Sequence, residues 1–192
     1  MGFYDDSGKP VSIPCGDLGA LSTVSDILPA YGFKYFEVGD PQSKITITGS
    51  AVTHSDPSIG LQAVFRHHAS GNTFYEAAIQ SSAGATEAEI AFENTIFAPT
   101  GSPTSTGIAI ANLDAVYSAT VLCTARNRLG NVIPNAVSVP LLNPLGHWSG
   151  YNFPALAGLQ GTLTCTSNTK IGMVALRALR NGAISSLPVV TR

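Results

Sequence analysis

The sequence predicts an all-β protein built from two tandem antiparallel β-sandwich modules of immunoglobulin-like type, the first of them incomplete. Turn-forming residues recur at the roughly 8–12-residue spacing of such folds, with almost no helical periodicity between them. Residues 160–190 predict three consecutive strands with alternating apolar and polar positions. A related stretch occurs at residues 44–80, so the chain repeats itself.

Short motifs recur in the same order in the two halves, which predicts a first module at residues 1–83 and a second at residues 84–192. The second module has residues 87–121 ahead of its first matched turn, and the first module lacks an equivalent. A sandwich without its first strands has an open edge that another chain can pair with. Truncation of a longer protein explains the same asymmetry. The matched segments are 6–11 with 128–133, 27–32 with 142–146, 50–56 with 162–168, and 63–66 with 175–177.

Most elements are predicted from period-two alternation bounded by Gly, Pro, Ser and Asn. Residues 18–29 predict a strand, although a short helix also fits, and residues 31–38 predict an aromatic strand. The other predicted strands of the first module are 1–13 as a hairpin, 43–54, 60–66 and 73–79. Those of the second module are 87–93, 106–112, 115–126 and 132–142, followed by the three within 160–190.

The composition suits a secreted β protein. Hydrophobic residues make up 44% of the chain and charged residues only 11%, against about 25% charged in an average domain. No apolar run reaches the roughly 18 residues of a membrane span. We expect an extracellular or cell-surface protein. Met1 does not open a signal peptide, so the chain is then expected to be a mature form or a fragment.

The three cysteines leave two interpretations open. Alternation directs Cys123 and Cys165 towards the same core, either as a disulfide or as two buried thiols. A bridge closes a loop of about 40 residues and is worth roughly 3–4 kcal/mol in the chain-entropy model. Cys15 is left over, and the absence of a Cys-x-x-Cys pair argues against zinc.

Charge is distributed unevenly along the chain. All 12 acidic residues lie at or before Asp114, with only four bases among them, whereas six bases and no acid follow. One interpretation is head-to-tail self-association, the basic module of one copy contacting the acidic module of the next. Divergence between the repeats, or separate partners of each sign, explains the pattern equally. Dispersed bases argue against nucleic-acid binding. The candidate contact residues are Glu87, Glu89, Glu93, Arg126, Arg128, Arg177 and Arg180.

No motif for catalysis, a cofactor or a metal is present, so we expect a protein that is not an enzyme. Carbohydrate binding requires exposed aromatic side chains, whereas aromatic residues on strands more often fill cores. An Arg66–Glu76 ion pair is expected across the hairpin around residues 68–72. The candidate sugar-binding residues are Trp148 and Tyr151, with Phe153, and Tyr31, Phe33 and Tyr35 at the matching place in the first module.

Several motifs together resemble a family of uncharacterised tandem β-sandwich modules in large secreted proteins of soil and environmental bacteria. They are Phe-Tyr-Asp-Asp-Ser-Gly-Lys-Pro at 3–10, Ser-Ala-Val-Thr-His-Ser-Asp-Pro-Ser-Ile-Gly at 50–60, Ala-Val-Phe-Arg at 63–66, Ala-Phe-Glu-Asn-Thr at 91–95, Thr-Gly-Ile-Ala-Ile-Ala-Asn-Leu at 106–113, Ala-Leu-Arg at 175–177 and Leu-Pro-Val-Val at 187–190. The resemblance implies repeated modules and extracellular placement and carries no catalytic residue.

From these observations we expect a structural or adhesive subunit that forms homo-oligomers or a filament, with a strand donated between copies. The alternative is a carbohydrate- or cell-wall-binding module of a larger secreted protein, with surface glycans as partners.

Overall fold

The chain folds almost entirely into β-strands, which confirms the predicted all-β class. The computed structural model describes residues 1–39, 47–56, 58–68, 74–97, 102–179 and 182–192. Two single-turn 3-10 helices, Gly16–Leu18 and Pro154–Leu156, interrupt the strands. The strands in these residues are β1 (Gly2–Asp5), β2 (Ile13–Pro14), β3 (Ala20–Leu21), β4 (Gly49–Val52), β5 (Gln62–His68), β6 (Phe74–Gln80), β7 (Ala85–Glu93), β8 (Ile96–Phe97), β9 (Ser102–Asn112), β10 (Val121–Asn127), β11 (Val132–Ile133), β12 (His147–Gly150), β13 (Gln160–Leu179), β14 (Ile184–Leu187) and β15 (Val190–Thr191).

Strand β13 organises the large sheet because it is long enough to hold four partners. Its first half pairs antiparallel with β7 and β10, and its second half pairs antiparallel with β9 and β14. The pairing changes from β7 to β9 at an irregularity between Thr166 and Ile171, where a bulge redirects the strand without ending it. The sequence predicted two strands here, at 160–168 and 170–180, and the structure joins them into one.

Four shorter strands complete the large sheet. β15 pairs with β7 and β11 pairs with β10, while β12 and β8 both pair with β9. All nine strands of this sheet come from Ala85 onward. The division into two modules and the immunoglobulin-like sandwich remain predictions.

The inward-facing side chains of both halves of β13 belong to one hydrophobic core. Leu163, Cys165, Ile171, Met173 and Ala175 are all buried, as alternation along the strand requires. Burial of a side chain as large as Leu163 or Ile171 stabilises the fold by roughly 1.5–3 kcal/mol. The buried residues that other strands and loops add are Ala88, Ile90, Phe92, Ile108, Ile110, Ala119, Val121, Ala125, Ala136, Val137, Leu142 and Leu156.

The N-terminal part contains three separate two-stranded sheets, β1 with β4, β2 with β3, and β5 with β6. Its own core consists of Phe3, Cys15 and Val24. The turn after β1 docks on the start of β12, where the His147 Nδ1 lies 2.8 Å from the Asp6 Oδ1 and the His147 backbone N–H donates to the Asp6 carbonyl at 3.2 Å. The described residues therefore give the first module a much smaller core than the second.

Several predicted strands are shorter than expected or missing. Of residues 18–29 only Ala20–Leu21 form a strand, with an isolated bridge at Thr23, and residues 31–38 contain no strand, although their sequence favours one. The strand predicted at 115–126 begins only at Val121. Of residues 132–142 only Val132–Ile133 form a strand, with an isolated bridge at Leu142. Pro134 and Pro140 lack the N–H that a ladder needs, which explains the last case. In the part of the chain that the structure describes, no strand pairs with residues 31–38, and strand propensity alone does not order a segment.

Candidate functional site

A loop that we call the arm (residues 26–38) presents large apolar side chains to solvent. Its turn is closed by the Gly32 N–H donating to the Pro29 carbonyl at 2.8 Å, with Tyr31 at a φ of 59°. Tyr31 and Phe33 are 108% and 87% exposed, and Tyr35 is 72% exposed. Their predicted role in a core is therefore wrong, and the arm is an exposed apolar surface of the kind that marks interaction sites.

Both ends of the arm are held by the small N-terminal core. Just before the arm, Val24 is buried and exchanges hydrogen bonds with Met1, whose carbonyl accepts from the Val24 N–H at 2.8 Å. At its far end Phe36 packs against the same core, and the Gly39 N–H donates to the Pro14 carbonyl at 2.9 Å. The stretch between these anchors carries the exposed aromatic rings.

Among the residues that the structure describes, strand β5 pairs only with β6, in the register that places Arg66 opposite Glu76, and its other edge has no strand beside it. The predicted ion pair between these two is confirmed at 2.8 Å. Consecutive residues Val64 and Phe65 point to opposite faces and are both exposed, at 58% and 43%. β5 thus offers apolar side chains on both faces beside an unpaired backbone edge.

The acidic candidates on β7 are compensated within the chain. Glu93 accepts a hydrogen bond from the Arg177 Nη1 at 2.9 Å, and also from Thr95 and Gln160. Burial alone raises the pKa of Glu93, but these three hydrogen bonds outweigh it and lower the pKa below its usual value. Glu87 pairs with Arg192 at 2.9 Å.

Glu89 completes this set. It accepts a hydrogen bond from the Thr164 hydroxyl at 2.9 Å and lies 3.9 Å from Arg192. Four of the seven residues predicted for a charged contact between copies, the three glutamates and Arg177, therefore have partners in their own molecule. Arg180 lies outside the described residues.

The remaining two, Arg126 and Arg128, border a shallow groove at the end of β10. Two adjoining cavities of about 590 and 440 Å³ share Asn127, Arg128 and Gln160 as lining residues. Arg126 donates to the Gly130 carbonyl at 3.1 Å. In the part of the chain that the structure describes, the Arg128 guanidinium has no hydrogen-bond or ion-pair partner. Of the seven predicted contact residues, these two arginines have no acidic partner among the described residues.

The cysteine prediction resolves in favour of the bridge. Cys123 of β10 and Cys165 of β13 lie directly opposite each other and form a disulfide, with 4.1 Å between their Cα atoms. Cys165 is buried in the main core and Cys123 is half-buried against it. Cys15 is a free thiol, buried in the N-terminal core.

The two aromatic residues predicted to bind sugars occupy different environments. Trp148 is half-buried, packs on the main core and lies 6.4 Å from Phe153 between ring centroids. Tyr151 is 80% exposed. Trp148 therefore does not present an open ring face to solvent, and Tyr151 is the more exposed of the two predicted sugar-binding residues.

Within the described ranges, no group of three or more His, Cys, Asp or Glu residues is placed to hold a metal ion. No helix among them is long and apolar enough to span a membrane. No protein-family model, no curated protein and no solved structure matches the chain. The function must therefore be argued from the geometry of this molecule.

Sequence reasoning did not identify the arm or the β5 edge as the leading site. The signal was present for the arm, because aromatic residues alternate at 31, 33 and 35 with Gly and Lys between them. Alternation of this kind usually indicates a strand against a core. It does not indicate whether the aromatic face is buried, because burial depends on the neighbours that the fold supplies.

Proposed function

We propose that the chain is a non-enzymatic, extracellular structural or adhesive subunit that associates with copies of itself head to tail, through a strand added to β5. The free edge of β5 is the observation that supports this most directly. An edge strand presents a row of unpaired N–H and C=O groups that another strand can bond. Natural edges are usually blocked by charge or proline, whereas residues 63–65 of β5 read Ala-Val-Phe and the charged residue that follows, Arg66, is paired with Glu76 of β6.

The exposure of both faces of β5 adds to this argument. Val64 lies on one face and Phe65 on the other, so a strand added beside β5 gains apolar contacts whichever face its own apolar side chains take. Main-chain hydrogen bonds then supply affinity and the side chains supply selectivity. Charge is not needed for this contact, which fits the compensation of the β7 glutamates within the chain.

The assembly follows from the type of contact. The donated strand and the receiving edge are different surfaces, so the contact is heterologous and continues into a filament unless its rotation closes a ring. The Cys123–Cys165 bridge supports placement outside the cytoplasm, because disulfides persist mainly in oxidising compartments.

Sedimentation velocity over a wide range of protein concentration tests the proposal. We expect the mass of the native chain to rise with concentration and the Val64→Lys variant to stay monomeric, because a lysine blocks an edge strand. Val116→Lys is the matched control, since Val116 is 71% exposed elsewhere on the molecule. It should associate like the native chain. A native chain that remains monomeric at its highest concentration refutes the proposal.

Carbohydrate binding is the second candidate, and the exposed rings of the arm favour it. Tyr31, Phe33 and Tyr35 offer ring faces to solvent, as sugar-stacking residues do, and Tyr151 adds a fourth. A glycan array probed with the native chain tests this candidate. Binding that disappears in the Tyr31→Ser/Phe33→Ser/Tyr35→Ser variant supports it, and an array without any signal excludes it for those glycans.

A further inference from the structure

We propose that the arm (residues 26–38) of one copy is the strand that β5 of the next copy receives. This inference rests on the proposed function and names both partners of its contact. The arm supplies the side chains that lose contact with water, and β5 supplies the hydrogen-bonding edge.

The arm has the sequence of a strand with one apolar face. In an extended chain Tyr31, Phe33 and Tyr35 lie on the same side, with Gly32 and Lys34 on the other. Aromatic residues are enriched in strands because they fit a pleated, half-buried surface. Within one molecule the described residues provide no strand beside the arm, so the pattern is not used there.

The exposed area of the arm is on the scale that an interface needs. An aromatic side chain buries about 150–250 Å² when it is enclosed, so three rings offer on the order of 450–750 Å². A standard interface removes about 800 Å² from each partner. Ile27, which is 90% exposed, adds to the same surface. One arm can therefore supply most of one partner's share.

The anchors of the arm favour β5 of a second copy over β5 of its own molecule. Val24 and Phe36 hold the two ends on the N-terminal core, and the Gly39–Pro14 hydrogen bond fixes the chain just beyond. The arm does approach its own hairpin, where Glu37 lies 4.0 Å from Arg66. Both side chains are more than half exposed, and an exposed pair of this kind holds the arm only weakly. The anchors restrict movement of the arm over its own hairpin, whereas a second molecule approaches without that restriction; in either case the Pro29–Gly32 turn must open for the arm to add as a strand.

Two complementary variants test the inference. Tyr31→Ser/Phe33→Ser/Tyr35→Ser removes the donor surface, and Val64→Lys removes the receiving edge. Because all four residues are exposed, we expect the urea midpoints of both variants to match that of the native chain. Each variant alone should be monomeric where the native chain associates. An equal mixture should form dimers and stop there, because the intact arm of the Val64→Lys copy fits the intact β5 of the other.

Hydrogen exchange at the β5 backbone provides a second readout. Protection of the β5 amides that point away from β6 should appear only at concentrations where copies associate, and it should be absent in the arm variant; the amides that bond β6 are protected in the monomer and serve as the internal reference. Protection that is independent of concentration shows that the arm closes on its own β5 and overturns the inference.

The remaining outcomes separate this inference from the proposed function. An arm variant that associates as well as the native chain, while Val64→Lys does not, shows that β5 receives another strand. The inference then fails and the proposed function stands. If the native chain never associates, both fail. Arg126→Glu/Arg128→Glu is the control for a charged contact and should leave the association within about twofold of the native value, since charge mainly steers encounter.

Discussion

Removal of the Cys123–Cys165 bridge should destabilise the protein by about 4 kcal/mol. The two cysteines are separated by 42 residues, and the chain-entropy relation for a loop of that length gives about 13 cal/mol/K, or roughly 4 kcal/mol at 25 °C. The bridge joins residues that already face each other across the β10–β13 ladder. The folded state thus keeps its pairing without the bridge, and the loss comes mainly from the greater freedom of the unfolded chain.

The assay is urea unfolding of the oxidised native chain against Cys123→Ala/Cys165→Ala, at a concentration where the protein is monomeric. With a slope of about 2 kcal/mol per molar urea, the midpoint should fall by on the order of 2 M. Cys15→Ala is the control, because this residue is a free thiol in the smaller core and its replacement leaves the bridge intact. Equal midpoints for the native chain and the double variant would show that the bridge is absent in solution or that the unfolded chain is already restricted.

Three further predictions follow from particular contacts. The pKa of Glu93 is lowered in the fold, so its ionised form stabilises the protein above the unfolded pKa near 4.5, and this stability is lost as the pH falls through the folded pKa. Glu93→Gln should lower the free energy of unfolding by about 1–2 kcal/mol at pH 7 and flatten the acid side of the stability–pH curve. Gly8→Ala should detach the turn after β1 from the loop before β12, because Gly8 has a φ of 83° and an added Cβ lies 2.0 Å from the Pro144 carbonyl oxygen. Hydrogen exchange of the β1 amides should then speed up, while the amides of the large sheet stay protected. Gly161→Ala should cost roughly 1–3 kcal/mol or more in urea unfolding, since its Cβ lies 1.8 Å from the Arg126 carbonyl oxygen, and Gly60→Ala, with open space around it, should be close to neutral.

The strands that the sequence predicts well are those whose alternation coincides with burial. On β7, Ala88, Ile90 and Phe92 are buried while Glu89 and Ala91 between them lie on the opposite face, as alternation predicts. The first half of β13 behaves in the same way, with Leu163 and Cys165 inside. In these segments the core is large and the two faces differ strongly in polarity, so a shift of one residue would expose every apolar side chain.

The continuity of β13 could not be predicted. Asn168 and Thr169 interrupt the alternation, and the sequence therefore suggested a turn between two strands. In the fold the Asn168 side chain accepts a hydrogen bond from the Thr120 N–H at 2.7 Å, and Thr169 donates to the Asn112 side chain at 3.1 Å. Polar contacts to residues far along the chain hold the strand through its irregularity. A local pattern cannot reveal them because both partners are distant in sequence.

Charge counted along the chain also gave an incomplete picture of charge in space. The acidic residues of β7 lie in the acidic first part of the sequence, and Arg177 lies in the basic second part. Glu93 and Arg177 nevertheless lie in the same sheet and form an ion pair. A sheet whose central strand bends past several others brings distant parts of the chain together. The charge asymmetry along the chain is therefore partly cancelled within the molecule, which weakens the argument for a charged contact between copies.

The arm carries the most informative disagreement between sequence and structure. Aromatic alternation predicts a strand at residues 31–38, and a strand requires a neighbour to satisfy its N–H and C=O groups. The described residues of one molecule supply no such neighbour, while β5 has an edge that lacks one. A strand-forming segment without an edge and an edge without a strand satisfy each other if they come from different copies. Under that proposal the strand pattern of the arm is used only between copies, and the concentration dependence of its exposure to solvent decides whether it is.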